Sequence, residues 1–377
     1  MAGEPYLFLQ ASAGGARVDL SSAVASLTLE TELGRPAELS VRLPDPYSLL
    51  SAALQEGVEL TLEWGTREAH ALVFRGQIYA LSATMPRDGT PTLTLTAYDA
   101  LMRLGIRNRS RSWPGRSLRG LAAEVAREHG LLGADVQLEA DPAYGGAGIH
   151  QREETDLALL LRLAEAQQAE LMVIPKATGD TLRLVSRAAL WRAGPVLTTV
   201  YGRPGAQYPV HSFDAQVWTT SAARDVRLAA TLVDGSDVSV ATQAPSPKGL
   251  DDPFREEALA RLSKDNPKRA AALELLIAAA PGTRAELEAR LGPGDLQMLP
   301  GLQADLQEID ARRRNRGGPR TLGMEGTATA PATTPLGCGQ VARVLGVGPR
   351  FTGDWLITQT RRTIEQSEFR FEFTCMR

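Results

Sequence analysis

The amino-acid sequence predicts a β-rich α+β fold with two related β-barrel domains, an α+β domain between them and a helical insertion in the second barrel. Apolar and polar residues alternate with period two towards both ends of the chain, a pattern typical of half-buried strands. Helical spacing replaces this alternation in the middle of the chain, and one strand-turn-strand segment occurs twice. We expect the first barrel at 1–105, the α+β domain at 106–194, the second barrel at 195–245 plus 318–377, and the helical insertion at 246–317.

The first domain is predicted from short strand patterns that Gly and Pro residues separate. The segment PDPYSLLSAALQEG interrupts them as a short helix or turn, and MPRDG forms the turn before the last strand. Short strands at this spacing indicate a sandwich or a barrel. The alternating segments are 17–33, 37–43, 57–65, 70–83 and 91–104.

The α+β domain is predicted from two amphipathic helices and a hairpin. RSLRGLAAEVAREHGL has apolar residues at helical spacing, with Ser117 placed to cap its start and Gly130 to end it. TDLALLLRLAEAQQAEL forms a second helix that Thr155 can cap. The hairpin LMVIPKATGDTLRLVSR follows, with Gly179 and Asp180 in its turn.

The second barrel is predicted from two segments that the insertion separates. Period-two alternation returns at 195–245 and again after residue 318, in GQVARVLGVG and in the closing stretch. Residues 254–314 between them are highly charged and have helical spacing. We therefore expect helices outside the barrel in this region.

The repeated segment begins with Phe-x-Gly in both copies, at Phe74–Gly76 and at Phe351–Gly353. Each copy continues into an apolar strand with Thr or Ser residues, then a polar turn and an alternating strand. The second strand starts 16 residues after the glycine in each copy, but its apolar residues are one position out of phase. A β-bulge or a longer turn would absorb that difference. The apolar positions compared are Leu93 and Leu95 with Phe369, Phe371 and Phe373.

The densest basic stretch is RNRSRSWPGRS at 107–117. One interpretation is a solvated linker between domains. The other is an inter-subunit contact or a patch facing an acidic partner, with Trp113 as its anchor.

Catalytic and metal-binding motifs are lacking in the sequence. His70, His129, His150 and His211 have no metal-ligand spacing, and neither Cys-x-x-Cys nor Gly-x-Ser-x-Gly occurs. Acidic residues at 153, 154 and 156 fall at a helix start, where they stabilise free amides. We predict a protein that is not an enzyme and that has no catalytic residue, cofactor or metal.

Composition and charge exclude several classes of protein. The net charge of -3 argues against nucleic-acid specificity, which normally requires a basic stripe. No apolar run is long enough for a membrane helix, and the start lacks the pattern of a signal peptide. We therefore expect synthesis in the cytoplasm without a signal peptide and no direct membrane insertion. Cys338 and Cys375 suit buried free thiols better than a disulfide framework, although they could be strand neighbours.

Three stretches together resemble the baseplate hub proteins of contractile tails: the phage late control protein D family and the N-terminal hub part of type VI secretion VgrG spikes. They lie at 74–131, 150–173 and 339–377, and their order and spacing carry the resemblance. The sequence departs from the family pattern at Arg361, Arg362 and Thr363, where a His commonly precedes the last turn of the closing hairpin. The insertion at 246–317 has no counterpart in the family.

The resemblance implies two tube-type barrels and a homotrimer at the tip of a contractile tail or injection system. One face would receive the six-fold inner tube protein, and the other would hold a three-fold spike. Because the chain ends after the second tube-type barrel, the resemblance implies a separate spike protein. Baseplate wedge components would contact the outer parts, and the protein would be assembled into a phage tail or a contractile injection particle.

Two other functions stay open at this point: a distal tail protein of a non-contractile phage, and a carbohydrate- or peptidoglycan-binding module. The candidate site consists of structural or interface residues of the repeat and of the basic stretch. These candidates are Arg75, Gly76, Trp113, Phe351, Gly353, Trp355, Phe369, Phe371 and Phe373.

Overall fold

The computed structural model confirms a β-rich fold with few helices. It describes residues 4–141, 148–203, 205–217, 226–231, 237–242, 253–290, 296–298 and 324–377. Among these residues, fourteen strands form one large sheet, which packs around two separate hydrophobic cores.

Seven antiparallel strands near the start of the chain form the first strand group. They pair in the order β3-β4-β7-β6-β5-β1-β2. Alternate residues point into one core, as at Leu27 and Leu29 or Leu93 and Leu95, which are buried. The strands are β1 (Pro5–Ala13), β2 (Ala16–Asp19), β3 (Ser26–Glu32), β4 (Glu38–Pro44), β5 (Glu59–Thr66), β6 (His70–Thr84) and β7 (Thr92–Tyr98), with helices α1 (Leu50–Ala53) and α2 (Ala100–Leu104).

The middle unit packs helices and short sheets around a core of its own. Ser117 and Thr155 cap its two main helices as predicted, since their side chains accept from the amides of Gly120 and Ala158. The second helix ends at Ala166, earlier than its pattern indicated, because the chain turns at Gln168 into a strand. The elements are β8 (Asn108–Trp113), α3 (Leu118–Glu128), β9 (Gly133–Gln137), β10 (Ile149–Thr155), α4 (Asp156–Ala166), β11 (Ala169–Lys176), β12 (Gly179–Ser186) and α5 (Arg187–Ala193).

The remaining strands divide between the large sheet and a small separate one. The elements are β13 (Leu197–Tyr201), β14 (Pro209–Val210), β15 (Ser212–Val217), β16 (Val226–Thr231), β17 (Asp237–Thr242), α6 (Arg255–Asp265), α7 (Pro267–Arg290), β18 (Leu296–Met298), β19 (Met324–Ala330), β20 (Val341–Leu345), β21 (Gly353–Glu365) and β22 (Glu368–Met376).

The second strand group consists of β13–β15 and β19–β22, which all belong to the large sheet. β16 and β17 fall within the predicted segment 195–245, but they pair with each other and with β18 in a three-stranded sheet of their own. The described part of 246–317 contains helices α6 and α7 and strand β18. The helical pattern predicted after residue 298 lies outside the described residues.

One long strand, β21, joins the two strand groups. Its first residues pair with β20, its residues from Gln359 onward pair with β3, and β22 accompanies it on the other side. The hydroxyls of Thr31 and Thr360 are 2.7 Å apart across the joint. The sheet therefore passes without a break from one core to the other.

Candidate functional site: the junction of the two strand groups

The two copies of the repeat fold as related hairpins, β6–β7 and β21–β22. The longer strand of each hairpin has a bulge, between Ile78 and Ala80 in the first and between Ile357 and Gln359 in the second. Such a bulge adds one residue to one strand and bends it. Both hairpins therefore share a bulge that shifts the register of strand pairing, and no single residue type in the sequence indicates it.

Aligning the hairpins on their bulges removes the difference in phase seen in the sequence. Tyr79 then corresponds to Thr358. The buried positions of the closing strands also coincide: Leu93, Leu95 and Ala97 correspond to Phe371, Phe373 and Cys375. In this alignment Gly76 corresponds to Trp355, so the two Phe-x-Gly motifs are displaced by two residues. The repeated structural unit is therefore the hairpin, and the Phe-x-Gly motif does not mark equivalent positions in its two copies.

Each motif glycine has a local steric requirement. A Cβ atom on Gly76 would overlap the backbone carbonyl of Tyr98, where β6 passes the end of β7. Gly353 has a φ of 154°, and a Cβ there would overlap the guanidinium of Arg377. Both positions therefore exclude larger residues, although they are not structurally equivalent.

The aromatic candidates of the second copy divide between the two cores. Trp355 is fully buried in the second core, and its indole Nε1 donates to the carbonyl of Phe351 at 2.9 Å. Phe371 and Phe373 pack in the same core. Phe369 instead packs against the first core, with its ring centroid 5.4 Å from that of Trp64. The β21–β22 hairpin therefore contributes side chains to both cores.

Arg75 connects the first strand group to the middle unit. Its Nε and Nη2 each donate to the Glu59 carboxylate at 3.0 Å, and its Nη1 donates to the carbonyl of Lys176 at 3.0 Å. The hydrogen bonding that Arg75 donates to Glu59 is the main cause of its raised pKa. The bidentate ion pair with Glu59 on β5 orients the Arg75 guanidinium, and its Nη1 then contacts the end of β11.

The basic stretch at 107–117 is not a linker: residues 108–113 form β8, which pairs with β10. Arg109 and Arg111 donate to Glu128 at 2.6 and 2.9 Å. Trp113, predicted as an interface anchor, is only 5% exposed and packs in the core of the middle unit. The arginines on alternate positions of one strand face carboxylates of the same chain, so this stretch offers little free positive charge.

Asp156 lies at the centre of that polar cluster, a role the sequence did not reveal. It is 1% exposed and accepts hydrogen bonds of 2.8 Å from Arg111, His129 and Gln151. Burial acts to raise the pKa of Asp156, but these hydrogen bonds and the arginine charges lower it overall. The sequence placed Asp156 only as a charge at a helix start, because two of its partners, Arg111 and His129, lie 45 and 27 residues away along the chain.

Groups that could carry catalysis are sparse in the described part of the chain. No cluster of three or more His, Cys, Asp or Glu residues suited to a metal ion occurs among those residues. Cys338 and Cys375 are free thiols whose sulfurs donate to the carbonyls of Thr358 and Gly326. Burial raises the pKa of Cys338 to about 12, which keeps it in the unreactive thiol form. Within the described ranges, no helix is long and apolar enough to cross a membrane.

Comparison with solved structures finds a similar fold in tail proteins. No model of a known protein family matches the chain, and no curated protein matches it. A tail protein from Neisseria meningitidis MC58 has a similar structure, with a TM-score of 0.62 and 13% identity over 98% of this chain and 96% of that one. A 43 kDa tail protein of prophage MuSo2 from Shewanella oneidensis matches at 0.61 and 13% identity, over 99% of this chain and 98% of that one.

A chain of the Francisella PdpA–VgrG complex also matches, with a TM-score of 0.56 and 8% identity. The match covers all of this chain and 58% of that chain. At these identities the likeness concerns the fold. The resemblance to tail and baseplate hub proteins drawn from the sequence is thereby confirmed.

Proposed function

We propose that this protein is the structural hub of a contractile tail or contractile injection system baseplate. In that role it forms a trimeric ring that adapts the six-fold inner tube to the three-fold spike. The observation that carries the proposal is the pair of bulged hairpins, one in each of two strand groups that β21 joins, in a chain with the fold of tail proteins.

The geometric argument starts from the repeat. Closed cyclic rings are the usual form of homo-oligomers. Three copies of a chain with two related hairpins present six related elements around one axis. In our proposal the two strand groups are tube-type barrels, and the hairpins line the channel on which tube subunits stack.

A rigid joint between the two strand groups is required for this role. Six positions match a six-fold tube only if each chain holds its two elements at a fixed angle. The continuous pairing of β21 with β3 and β20, and the split of Phe369 and Phe371 between the two cores, favour such rigidity.

The outer parts of the chain are proposed to contact the separate spike protein and baseplate wedge components. α7 supports this assignment, since it exposes neighbouring apolar side chains to solvent. Leu275, Leu276 and Ile277 are 74%, 65% and 37% exposed. Contiguous exposed apolar residues commonly mark protein-binding surfaces. The role is structural and non-enzymatic, and its setting is an assembled phage tail or injection particle.

Co-expression with the tube, spike and wedge proteins encoded nearby tests this function. Affinity capture of this chain should recover tube and spike proteins, and electron microscopy should show a ring with six similar positions. The double variant Leu275→Glu, Leu276→Glu should fold normally and lose an outer partner. Leu49→Glu, also on an exposed leucine (68%), serves as the matched control and should retain every partner.

Failure to capture a tube protein under conditions where the chain is folded would contradict the hub function. A distal tail protein of a non-contractile tail would also capture tube protein. The genome distinguishes the two functions, because only a contractile machine is encoded together with a sheath protein.

A further inference from the structure

A cleft of about 470 Å³ lies where three parts of the chain meet. Its walls come from β5 and β6 of the first strand group, from β11 of the middle unit and from the segment 333–340. Trp64, Met172 and Ile174 contribute apolar surface to it. The volume falls in the range of sites that bind small molecules or the end of a peptide.

Arg362 lines this cleft and is a buried cation. It is 5% exposed, although the neighbouring Arg361 on the same strand points outward and pairs with Glu30. The Arg362 Nη1 donates to the Thr360 hydroxyl at 3.2 Å, its Nη2 donates to the Leu336 carbonyl at 2.5 Å, and its guanidinium lies 4.7 Å from the centre of the Phe371 ring. Its Nε–H is buried without a partner.

The other basic side chains that line the cleft each lie beside a carboxylate. Arg35 pairs with Glu32 at 2.9 Å, His70 lies 3.4 Å from Glu63, and Arg75 pairs with Glu59. Among the described residues, no carboxylate forms a salt bridge with Arg362. Burial alone lowers its pKa, to about 10, so it stays charged at neutral pH.

The acidic groups in the cleft do not neutralise the charge of Arg362. Asp99, a buried acid of the cleft wall, caps α2 by accepting from the Leu101 amide, and burial raises its pKa to about 7. Glu32 is already paired with Arg35. An unpaired buried charge is costly to a folded protein, so such a group is a candidate for binding an external partner.

A second polar group in the same cleft also lacks a partner. The Thr334 hydroxyl is buried without a hydrogen bond, and the residue is 2% exposed. A guanidinium N–H and a hydroxyl can both donate hydrogen bonds to a carboxylate. Neither group is required by the hub function proposed above.

We propose that this cleft binds a carboxylate attached to an apolar body, with Arg362 as the cation and the Thr334 hydroxyl as a second donor. The apolar walls around Trp64 and Met172 hold the body of the ligand. The C-terminal carboxylate of a polypeptide and a free aliphatic acid share this chemistry.

The test measures binding to the purified full-length chain by calorimetry with matched pairs of probes. Hexanoate is compared with hexanamide, and acetyl-Ala-Leu-Leu with a free carboxylate is compared with its amide. The carboxylate should bind at least about tenfold more tightly than its amide, since charge-assisted hydrogen bonds commonly supply that difference. Preference for the peptide acid or for hexanoate identifies the source of the ligand.

Variants then assign the binding to the two residues. Arg362→Gln should weaken binding of the preferred acid roughly tenfold to a hundredfold, and Thr334→Val a few-fold. Arg361→Gln is the matched control and should bind as the unchanged chain does. Thermal unfolding monitors the fold, and Thr334→Val keeps the test decisive if Arg362→Gln does not fold. Equal binding of acids and amides, or loss of binding only in Arg361→Gln, would overturn the proposal.

Discussion

Replacement of Trp355 by Ala is the change we expect to damage the second strand group most. The indole is fully buried, its ring centroid lies 5.3 Å from that of Phe213, and its Nε1 donates to the Phe351 carbonyl. Truncation of a buried Trp to Ala costs about 3–5 kcal/mol through lost burial and the cavity left behind. Loss of the hydrogen bond adds about 1 kcal/mol, so the free energy of unfolding should fall by about 4–6 kcal/mol.

Hydrogen exchange measures this loss where it occurs, because the chain has at least three separate cores and need not unfold in one step. Amides of β22 that exchange through opening of the second core should exchange at least a thousandfold faster, since 1.4 kcal/mol corresponds to a factor of about ten. Tyr47→Ala, at an 82% exposed aromatic, should leave exchange unchanged. A loss below about 1 kcal/mol in Trp355→Ala would refute the assignment of this residue to the core.

Two further predictions follow from the backbone and from buried charge. Gly76→Ala should lower the free energy of unfolding by about 1–3 kcal/mol in chemical denaturation, because its Cβ would overlap the Tyr98 backbone. Gly120→Ala in α3, where a Cβ has room, is the control and should raise stability. An equal loss of stability in both variants would contradict the steric reasoning. Burial raises the pKa of Asp99 to about 7 and that of Asp180 to about 6, so the folded state retains protons and the free energy of unfolding should fall as pH rises from about 4 to 7. Asp99→Asn should reduce that fall by up to about 1.4 kcal/mol per unit of pKa shift, and an unchanged pH profile would argue against the burial of this carboxyl.

Local signals in the sequence predicted local structure well. The caps at Ser117 and Thr155 depend on residues within three positions, so the helix starts could be read directly. The alternation of apolar and polar residues also predicted the strands of both hairpins, because successive side chains of a strand point to opposite faces whichever strand it pairs with.

Features that depend on distant pairing were not predictable in the same way. The bulge at Thr358 shifts the register by one residue, and only the pairing with β22 shows it. Asp156 and Arg362 look like ordinary surface charges in the sequence, because the segments that bury them lie elsewhere in the chain. The joining of the two strand groups by β21 is likewise seen only in the structure, where β20 pairs with its first residues and β3 with its later ones.

The most direct test of the hub proposal is the mass of the purified protein in solution, measured by light scattering with and without its co-expressed tube and spike proteins. The proposal predicts three copies of the 40.5 kDa chain per particle, either alone or in the complex with those partners, whose own mass then adds to the total. A chain that stays monomeric with both partners present would contradict the symmetry argument, since one copy offers only two of the six positions.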